Sequence, residues 1–185
     1  MTTKTRLQLT LAIIKPDAVA QPHVIKYIKN LILSNNFLFV RSNMVRWRRS
    51  DAEQFYKEHE GRFFHNRLVT FMSSTHILAR EDAISCWRKL MGPTKVFRTQ
   101  YEDPDSIRGQ FGLSDTRNCT HGSDSEESAA KEIHFFFPDF DIEKWYSEEE
   151  LLFRQRKVTF DPKRDIHILD NTSPTRKEEP KITAS

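Results

Sequence analysis

The chain has 185 residues and a formal net charge of +3, with 29 lysines and arginines against 26 aspartates and glutamates. This length favours one domain of ~150 residues with a buried core and a tail, and the mild positive charge suits anionic small molecules better than nucleic acid. Two cysteines, Cys86 and Cys119, are too few for a disulfide framework, and no apolar run approaches the ~20 residues of a membrane span. We therefore expect an intracellular protein without a membrane partner, either mitochondrial or cytoplasmic.

The first half of the chain predicts a β-α-β unit followed by helices. Residues 7–14 alternate and then become wholly apolar, as in a strand that enters a core. Residues 25–32 carry apolar side chains at helical spacing, and residues 37–47 predict a second strand. Capping and periodicity signals then predict two helices over residues 50–72. A short strand is expected over residues 75–79.

The second half adds helices and a candidate functional loop. Residues 82–91 predict a helix that ends at Gly92, and residues 93–106 lack periodicity, which favours a functional loop. Another helix is expected to follow His121, and one more is expected near residues 148–156. This order of elements predicts an α+β fold, a ferredoxin-like α/β sandwich whose antiparallel sheet of about four strands is covered by helices.

Composition suggests three units. We expect a domain over residues 1–137, a C-terminal extension over residues 138–169 packed on or near that domain, and a disordered tail over residues 170–185. The tail prediction rests on polar, proline-containing composition, which cannot bury enough apolar surface to fold.

The segment from Arg117 to Ser125 carries the clearest functional signal. It places His121 at a turn leading into a helix, and Ser123 with Glu126 matches a capping box at its start. Helix N-termini favour anions, and Gly122 would let an anion approach the main chain. Glycines and arginines gather in this part of the chain: Gly92, Gly109, Gly112, Gly122, Arg88, Arg108 and Arg117. We expect the anion to be phosphate, with ordinary turn chemistry as the alternative.

Five collinear segments between residues 7 and about 137 form a longer pattern. They are Ile14–Ala18; Tyr56 with Gly61–Phe64 and Leu68; Arg88 with Leu90–Thr94; Ser106–Phe111; and Asn118–Ser125 with Lys131–Ile133. The pattern resembles the nucleoside diphosphate kinase family, most of all its divergent type-6 branch. The resemblance implies transfer of the γ-phosphate of a nucleoside triphosphate, typically ATP, to a nucleoside diphosphate by a ping-pong mechanism through a phosphohistidine.

The same resemblance implies a role for each matching residue. His121 would be the nucleophile, Glu132 would hold its tautomer, Tyr56 would pack beside it, and Ser123 and Gly122 would support them. The nucleotide would be held by Lys15 and Asn118 at the ribose, by Arg88, Thr94 and Arg108 at the terminal phosphates, and by Phe64 and Leu68 at the base. Mg²⁺ is the implied cofactor, bound through nucleotide phosphates and water because the sequence offers no carboxylate cage.

Three positions depart from the family pattern. Phe63 stands where the family usually has proline, and the stretch between Met72 and Ile77 is a few residues short, which should trim a central strand. The loop after Thr94 is enlarged, and this loop helps to form hexamers in ordinary members. We therefore expect a monomer or dimer instead of a hexamer.

Two other function classes stay open. One is a nucleotide-binding regulatory or scaffolding module with weak or lost kinase activity, which would act through a protein partner. The other is nucleic-acid binding through a basic cluster of Arg41, Arg46, Trp47, Arg48 and Arg49, which solvated arginines at a strand end explain equally well. Phosphoenzyme formation distinguishes the first class from the enzyme, and salt-dependent retention on DNA tests the second.

Overall fold

The structure, a computed structural model, describes residues 5–46 and 72–170. Four strands form an antiparallel sheet: β1 (Gln8–Ile14), β2 (Leu38–Arg46), β3 (Met72–Arg80) and β4 (Thr120–Gly122). They lie in the order β2-β3-β1-β4. The helices are α1 (Pro16–Val19), α2 (Pro22–Ser34), α3 (Ala83–Met91), α4 (Val96–Glu102), α5 (Ile107–Phe111), α6 (Glu126–Phe136), α7 (Ile142–Glu148) and α8 (Glu150–Arg154). A second sheet pairs β5 (Val158–Asp161) with β6 (Ile166–Leu169).

Apolar cores lie on both faces of the four-stranded sheet. Leu11 and its neighbours at alternate positions of β1 pack in a cluster with Ile133 of α6. Ala12 and Ile14 point to the opposite face and belong to a cluster with Ile28 of α2 and Trp87 of α3. Because β1 is central and covered on both faces, its sequence is apolar almost throughout. The expected ferredoxin-like α+β sandwich with a four-stranded antiparallel sheet is confirmed.

The strand β3 is longer than the sequence predicts. It begins at Met72, where a helix was expected to continue, and it pairs with β1 on one side and β2 on the other. The strand expected over residues 75–79 is confirmed but is longer at both ends, and the expected trimming of a central strand was wrong. Residues 73–76 are polar yet buried. Backbone pairing with the neighbouring strands holds them in the sheet, so this part of the sequence lacks the alternation of apolar and polar residues by which a strand is recognised.

The segment after Thr94 contains a helix, contrary to the expected irregular loop. Helix α4 begins at Val96, whose N–H donates to Asp115 Oδ1 at 3.0 Å. This cap comes from a distant loop, so local sequence does not reveal it. The helix leaves Phe97 and Tyr101 each 76% exposed.

The C-terminal residues 138–170 pack against the sheet and its helices. Trp145 of α7 and Phe153 of α8 are buried in the same cluster as β1, and the buried carboxylate of Glu150 accepts the N–H of Leu7 at 2.8 Å. The hairpin of β5 and β6 lies along β2, where His167 Nδ1 accepts a hydrogen bond from the N–H of Phe39 at 2.9 Å. The helix expected near residues 148–156 corresponds to α8, whereas α7 and this hairpin were not predicted.

Some sequence predictions lie outside the described residues. These are the two helices expected over residues 50–72, the positions Tyr56, Phe63, Phe64 and Leu68, part of the basic cluster (Trp47, Arg48 and Arg49), and the tail beyond residue 170. Within residues 5–46 and 72–170, no helix is both long and apolar enough to cross a membrane. Both cysteines are free thiols.

His76 is a histidine buried at the centre of the sheet. Its Nδ1 lies 2.7 Å from Ser42 Oγ and its Nε2 lies 3.0 Å from Ser74 Oγ. Burial, with a smaller contribution from the charge of Lys29, lowers the pKa of His76 from 6.5 to about 3. Burial likewise lowers the pKa of His167, to about 4. Both rings are therefore neutral in the folded protein near neutral pH.

We expect the protein to lose stability as the pH falls from 6.5 toward 3, because the unfolded chain takes up protons there that buried His76 does not. In this pH range His76 alone lowers the free energy of unfolding by about 1.4 kcal/mol for each pH unit. Urea unfolding at neutral pH and at several lower values measures this slope. His76→Gln retains polar groups beside the serines but cannot titrate, so its slope should be shallower; an equal slope would contradict the assignment.

Candidate active site

His121 lies on the edge strand β4, not at a turn into a helix. Ile13 of β1 pairs with His121 in antiparallel register, so the sheet holds the backbone of the histidine. The helix α6 starts only at Glu126, and its capping box consists of Ser125 and Ser128. The predicted Ser123–Glu126 capping box was wrong, because β1 draws residues 120–122 into the sheet and moves the helix start onward.

The N-terminus of α6 carries its own negative charge. Glu126 and Glu127 lie in its first turn, and Ser125 Oγ accepts the N–H of Ser128. Asp124 accepts a hydrogen bond from the Ser128 hydroxyl, and this bond is the main reason that the pKa of Asp124 lies below its usual value. These carboxylates already compensate the positive end of the helix dipole. The expected phosphate site at this helix start is therefore not supported.

A directed hydrogen-bond chain holds the ring of His121. Its Nε2 lies 2.9 Å from Glu132 Oε1, and Ser123 Oγ donates to Glu132 Oε2 at 2.6 Å. Ser123 Oγ in turn accepts the N–H of Leu11 at 3.2 Å. An ionised carboxylate only accepts, so the network assigns the imidazole proton to Nε2 and the lone pair to Nδ1. The ring is partly exposed, at 27% of its side chain.

Gly122 has a packing role in this structure. A Cβ at this position would collide with the indole of Trp87 and with the end of Met91. The Trp87 Nε1–H donates to the carbonyl of His121 at 3.1 Å, so the close approach that Gly122 permits also secures the histidine backbone. The structure thus shows a packing role for Gly122, and its expected role in the approach of an anion stays a prediction.

Lys15 and Asn118 lie together, as their expected shared role requires. Lys15 Nζ donates to Asn118 Oδ1 at 2.8 Å and to the carbonyl of Thr116 at 3.3 Å. Burial lowers the pKa of Lys15 to about 8, although the neighbouring charge of Asp17 opposes the shift. Lys15 is thus a desolvated ammonium donor held at the end of β1.

Arg108 makes contacts that the sequence did not predict. It is 8% exposed, and its guanidinium donates to the carbonyls of Gly92 at 2.7 Å, Thr120 at 3.0 Å and Asn118 at 3.4 Å. Burial first, and then the charge of Arg88, lowers the pKa of Arg108 to about 10, so it stays charged at neutral pH. Arg108 therefore joins the end of α3 to the segment before His121.

Arg88 and Thr94 are the remaining described residues of the expected phosphate grip. Arg88 is exposed on α3 and lines a groove with Asp124 and Gln8. Its charge contributes to the lowered pKa of both Arg108 and Asp124, so Arg88 lies near both groups. Thr94 is exposed in the turn before α4.

Sequence reasoning missed Asp17 and Trp87. Asp17 Oδ2 accepts the N–H of Cys119 at 2.9 Å, close to the histidine in sequence. Asp17 belongs to the Ile14–Ala18 motif, so its position was noted but not its role, and Trp87 matched only an apolar helix face. Within the described ranges 5–46 and 72–170, no three His, Cys, Asp or Glu side chains form a group that could hold a metal ion.

Comparison with known proteins identifies the family. The nucleoside diphosphate kinase family model matches residues 8–142. The human protein named Nucleoside diphosphate kinase 6 is 55% identical over 170 residues, which cover 90% of this chain and 91% of the human protein. The Danio rerio protein of the same name is 52% identical over 90% of this chain and 97% of its own length.

Solved structures agree. The nucleoside diphosphate kinase of Aquifex aeolicus superposes with a TM-score of 0.67 at 33% identity, over 71% of this chain and 95% of that one. The Encephalitozoon cuniculi enzyme gives 0.65 at 28% identity, over 75% of this chain and 99% of that one. The family model, these relatives and the shared fold together show that the chain belongs to the nucleoside diphosphate kinase family.

Proposed function

We propose that this protein is an active nucleoside diphosphate kinase that works by a ping-pong mechanism through a phosphorylated His121. The observation that carries the proposal is the contact of His121 Nε2 with Glu132, itself held by Ser123. Such a chain sets one tautomer and one ring orientation, which a nucleophilic histidine needs and a purely structural histidine does not.

In the first half-reaction the lone pair of His121 Nδ1 attacks the γ-phosphorus of a nucleoside triphosphate. The N–P bond forms as the bond from γ-phosphorus to the β,γ-bridging oxygen breaks, and the electron pair leaves with the nucleoside diphosphate. Glu132 accepts the Nε2–H throughout and stabilises the positive charge that grows on the ring. In the second half-reaction a terminal oxygen of another nucleoside diphosphate attacks the phosphorus and releases His121.

Other residues of the proposed site would hold the nucleotide. Lys15 and Asn118 would donate to the ribose, while Arg88, Thr94 and Arg108 would face the terminal phosphates. Tyr56 beside the histidine and the base clamp of Phe64 and Leu68 stay predictions, since they lie outside the described residues. Mg²⁺ would arrive with the nucleotide, bound by its phosphates and water, and would neutralise charge on the phosphate oxygens. This fits a site whose described carboxylates are not grouped for metal binding.

The test is a direct search for the phosphoenzyme. Purified protein is incubated with γ-labelled ATP, and the label on protein should be acid-labile and base-stable, as a phosphohistidine is. Initial rates against donor and acceptor concentrations should give parallel lines in double-reciprocal form. Nucleotide binding without any label would favour the regulatory or scaffolding alternative.

We expect Glu132→Gln to slow phosphoenzyme formation by roughly 10- to 100-fold without abolishing it, by analogy with other orienting partners of histidine. A glutamine has one acceptor oxygen and one NH2 group, so it cannot offer an acceptor at both positions where Glu132 accepts, one from His121 and one from Ser123. Single-turnover labelling measures the rate. Glu127→Gln is the matched control, because Glu127 is exposed on the same helix and pairs with the exposed Lys131. Equal rates for both variants would contradict the role of Glu132.

Further parts of the proposal concern organisation. We propose that residues 1–137 form the kinase domain and that residues 138–169 are a C-terminal extension of it. We also propose that the protein is a monomer or dimer in solution. The contacts of Trp145, Phe153 and Glu150 with the region of β1 support the second point. The helix α4 in the altered loop after Thr94 supports the third, since it changes a surface used for hexamers in ordinary members.

A further inference from the structure

Cys119 has a backbone conformation that is unusual for its residue type. Its φ is 68°, in the left-handed region that glycine adopts readily and cysteine does not. The residue is also almost fully buried, at 1% exposure. Strain of this kind persists only where surrounding contacts impose it, and it is found most often beside functional groups.

Contacts with the turn that follows β1 help to hold this conformation, together with the hydrogen bond from the N–H of Thr120 to the carbonyl of Asn118 at 2.8 Å. Asp17 Oδ2 accepts the N–H of Cys119 at 2.9 Å, and the N–H of Lys15 donates to the carbonyl of Cys119 at 2.8 Å. Both backbone polar groups of Cys119 are thus held by residues on either side of Pro16. One of these two bonds comes from a side chain, so it can be removed by substitution.

Cys119 lies in the sequence between Asn118 and His121, which are held in place by different contacts. On one side, Asn118 contacts Lys15 Nζ at 2.8 Å. On the other side, His121 is held independently by pairing with β1, by Glu132 and by Trp87. If Cys119 relaxed to an ordinary φ, the sheet would keep His121 in place while the Asn118 side of the turn moved.

We infer that Asp17 is a positioning residue of the nucleotide site: by holding Cys119 in the left-handed conformation, its carboxylate sets Asn118 and Lys15 in their place relative to His121. The inference rests on the proposed function, in which Lys15 and Asn118 bind the ribose. Asp17 itself contacts no substrate in this scheme. Its loss therefore changes nucleotide affinity more than the rate of phosphoryl transfer at saturation.

The experiment compares Asp17→Ala and Asp17→Asn by calorimetric titration with ADP and by labelling with saturating γ-labelled ATP. Asp17→Ala should weaken ADP binding roughly tenfold, by analogy with other orienting partners, and should slow labelling less than that. Asp17→Asn retains an acceptor oxygen and should bind ADP nearly as the parent protein does. Asp139→Ala, which removes an exposed carboxylate after α6, is the matched control.

A second substitution separates positioning from general stability. Glycine adopts a φ near +68° without strain. The double variant Asp17→Ala with Cys119→Gly should therefore recover most of the ADP affinity that Asp17→Ala loses, even if Asp17→Ala alone folds poorly. Recovery supports the inference. Unchanged ADP binding by Asp17→Ala, or a folded double variant that still binds weakly, overturns it. A parent protein that binds no ADP and takes no label would instead overturn the proposed function.

Discussion

His121→Asn should abolish labelling by γ-labelled ATP while nucleotide affinity stays within about threefold of the parent value. The proposed ribose and phosphate contacts come from other residues, so the substitution removes the nucleophilic nitrogen and leaves those contacts in place. Asparagine is shorter than histidine and does not reach Glu132, so this carboxylate loses its bond to the ring and keeps its bond from Ser123. Labelling with γ-labelled ATP and calorimetric titration with ADP measure the two quantities separately.

His134→Asn is the matched control for this substitution. His134 is exposed in the last turn of α6, the helix that carries Glu132, so its replacement makes the same chemical change away from the ring of His121. Its labelling should equal that of the parent protein. Undiminished labelling of His121→Asn, or loss of label in His134→Asn alone, would show that the nucleophile is assigned to the wrong residue.

Arg108→Ala should have the second largest effect, and it should reduce stability, binding and turnover together. The substitution leaves the buried carbonyls of Gly92 and Thr120 without the donor that Arg108 supplies, at a cost of about 3 kcal/mol in unfolding free energy, while the carbonyl of Asn118 keeps the N–H of Thr120. For a chain of this size that corresponds to a fall of about 10 °C in Tm. Turnover should fall on the order of 10³-fold, because the segment before His121 and a phosphate-facing charge are lost at once.

Arg108→Lys should not restore the parent behaviour, since an ammonium cannot reach three carbonyls in the geometry of a guanidinium fork. Arg98→Ala removes an exposed arginine whose pair with Glu102 is also exposed, and it should leave Tm nearly unchanged. Thermal unfolding and steady-state rates make the comparison. A normal Tm with lost turnover would mean that Arg108 acts on phosphate alone and that its carbonyl contacts contribute little.

The substitutions of His121 and Arg108 test two different requirements of the same site, the reacting atom and the backbone that holds it. In the proposed mechanism His121 supplies the reacting atom, and the edge strand, Glu132 and Trp87 hold it in one orientation. Arg108 and Asp17 contact the backbone that joins the proposed nucleotide-binding turn to this histidine. Since preorganised geometry accounts for much of the rate of phosphoryl transfer, loss of either backbone contact should be measurable without any change in the nucleophile.

The sequence by itself determined the fold class and the family. The change from alternating to continuous apolar residues in β1 indicated a central strand, and the helical spacing before Asn35 and Gly92 indicated α2 and α3. Collinear motifs identified His121 and Glu132, which the structure brings to 2.9 Å. These features are readable because apolar periodicity and short motifs are local properties of the chain.

Only the tertiary structure decided the rest. The polar start of β3, the strand state of His121, the carbonyl contacts of Arg108 and the left-handed Cys119 all depend on partners that lie elsewhere in the sequence. Asp17, for example, holds Cys119 from 102 positions away along the chain. Backbone N–H and C=O groups are the same in every residue except proline, so side-chain patterns do not reveal which of them will pair until the chain has folded.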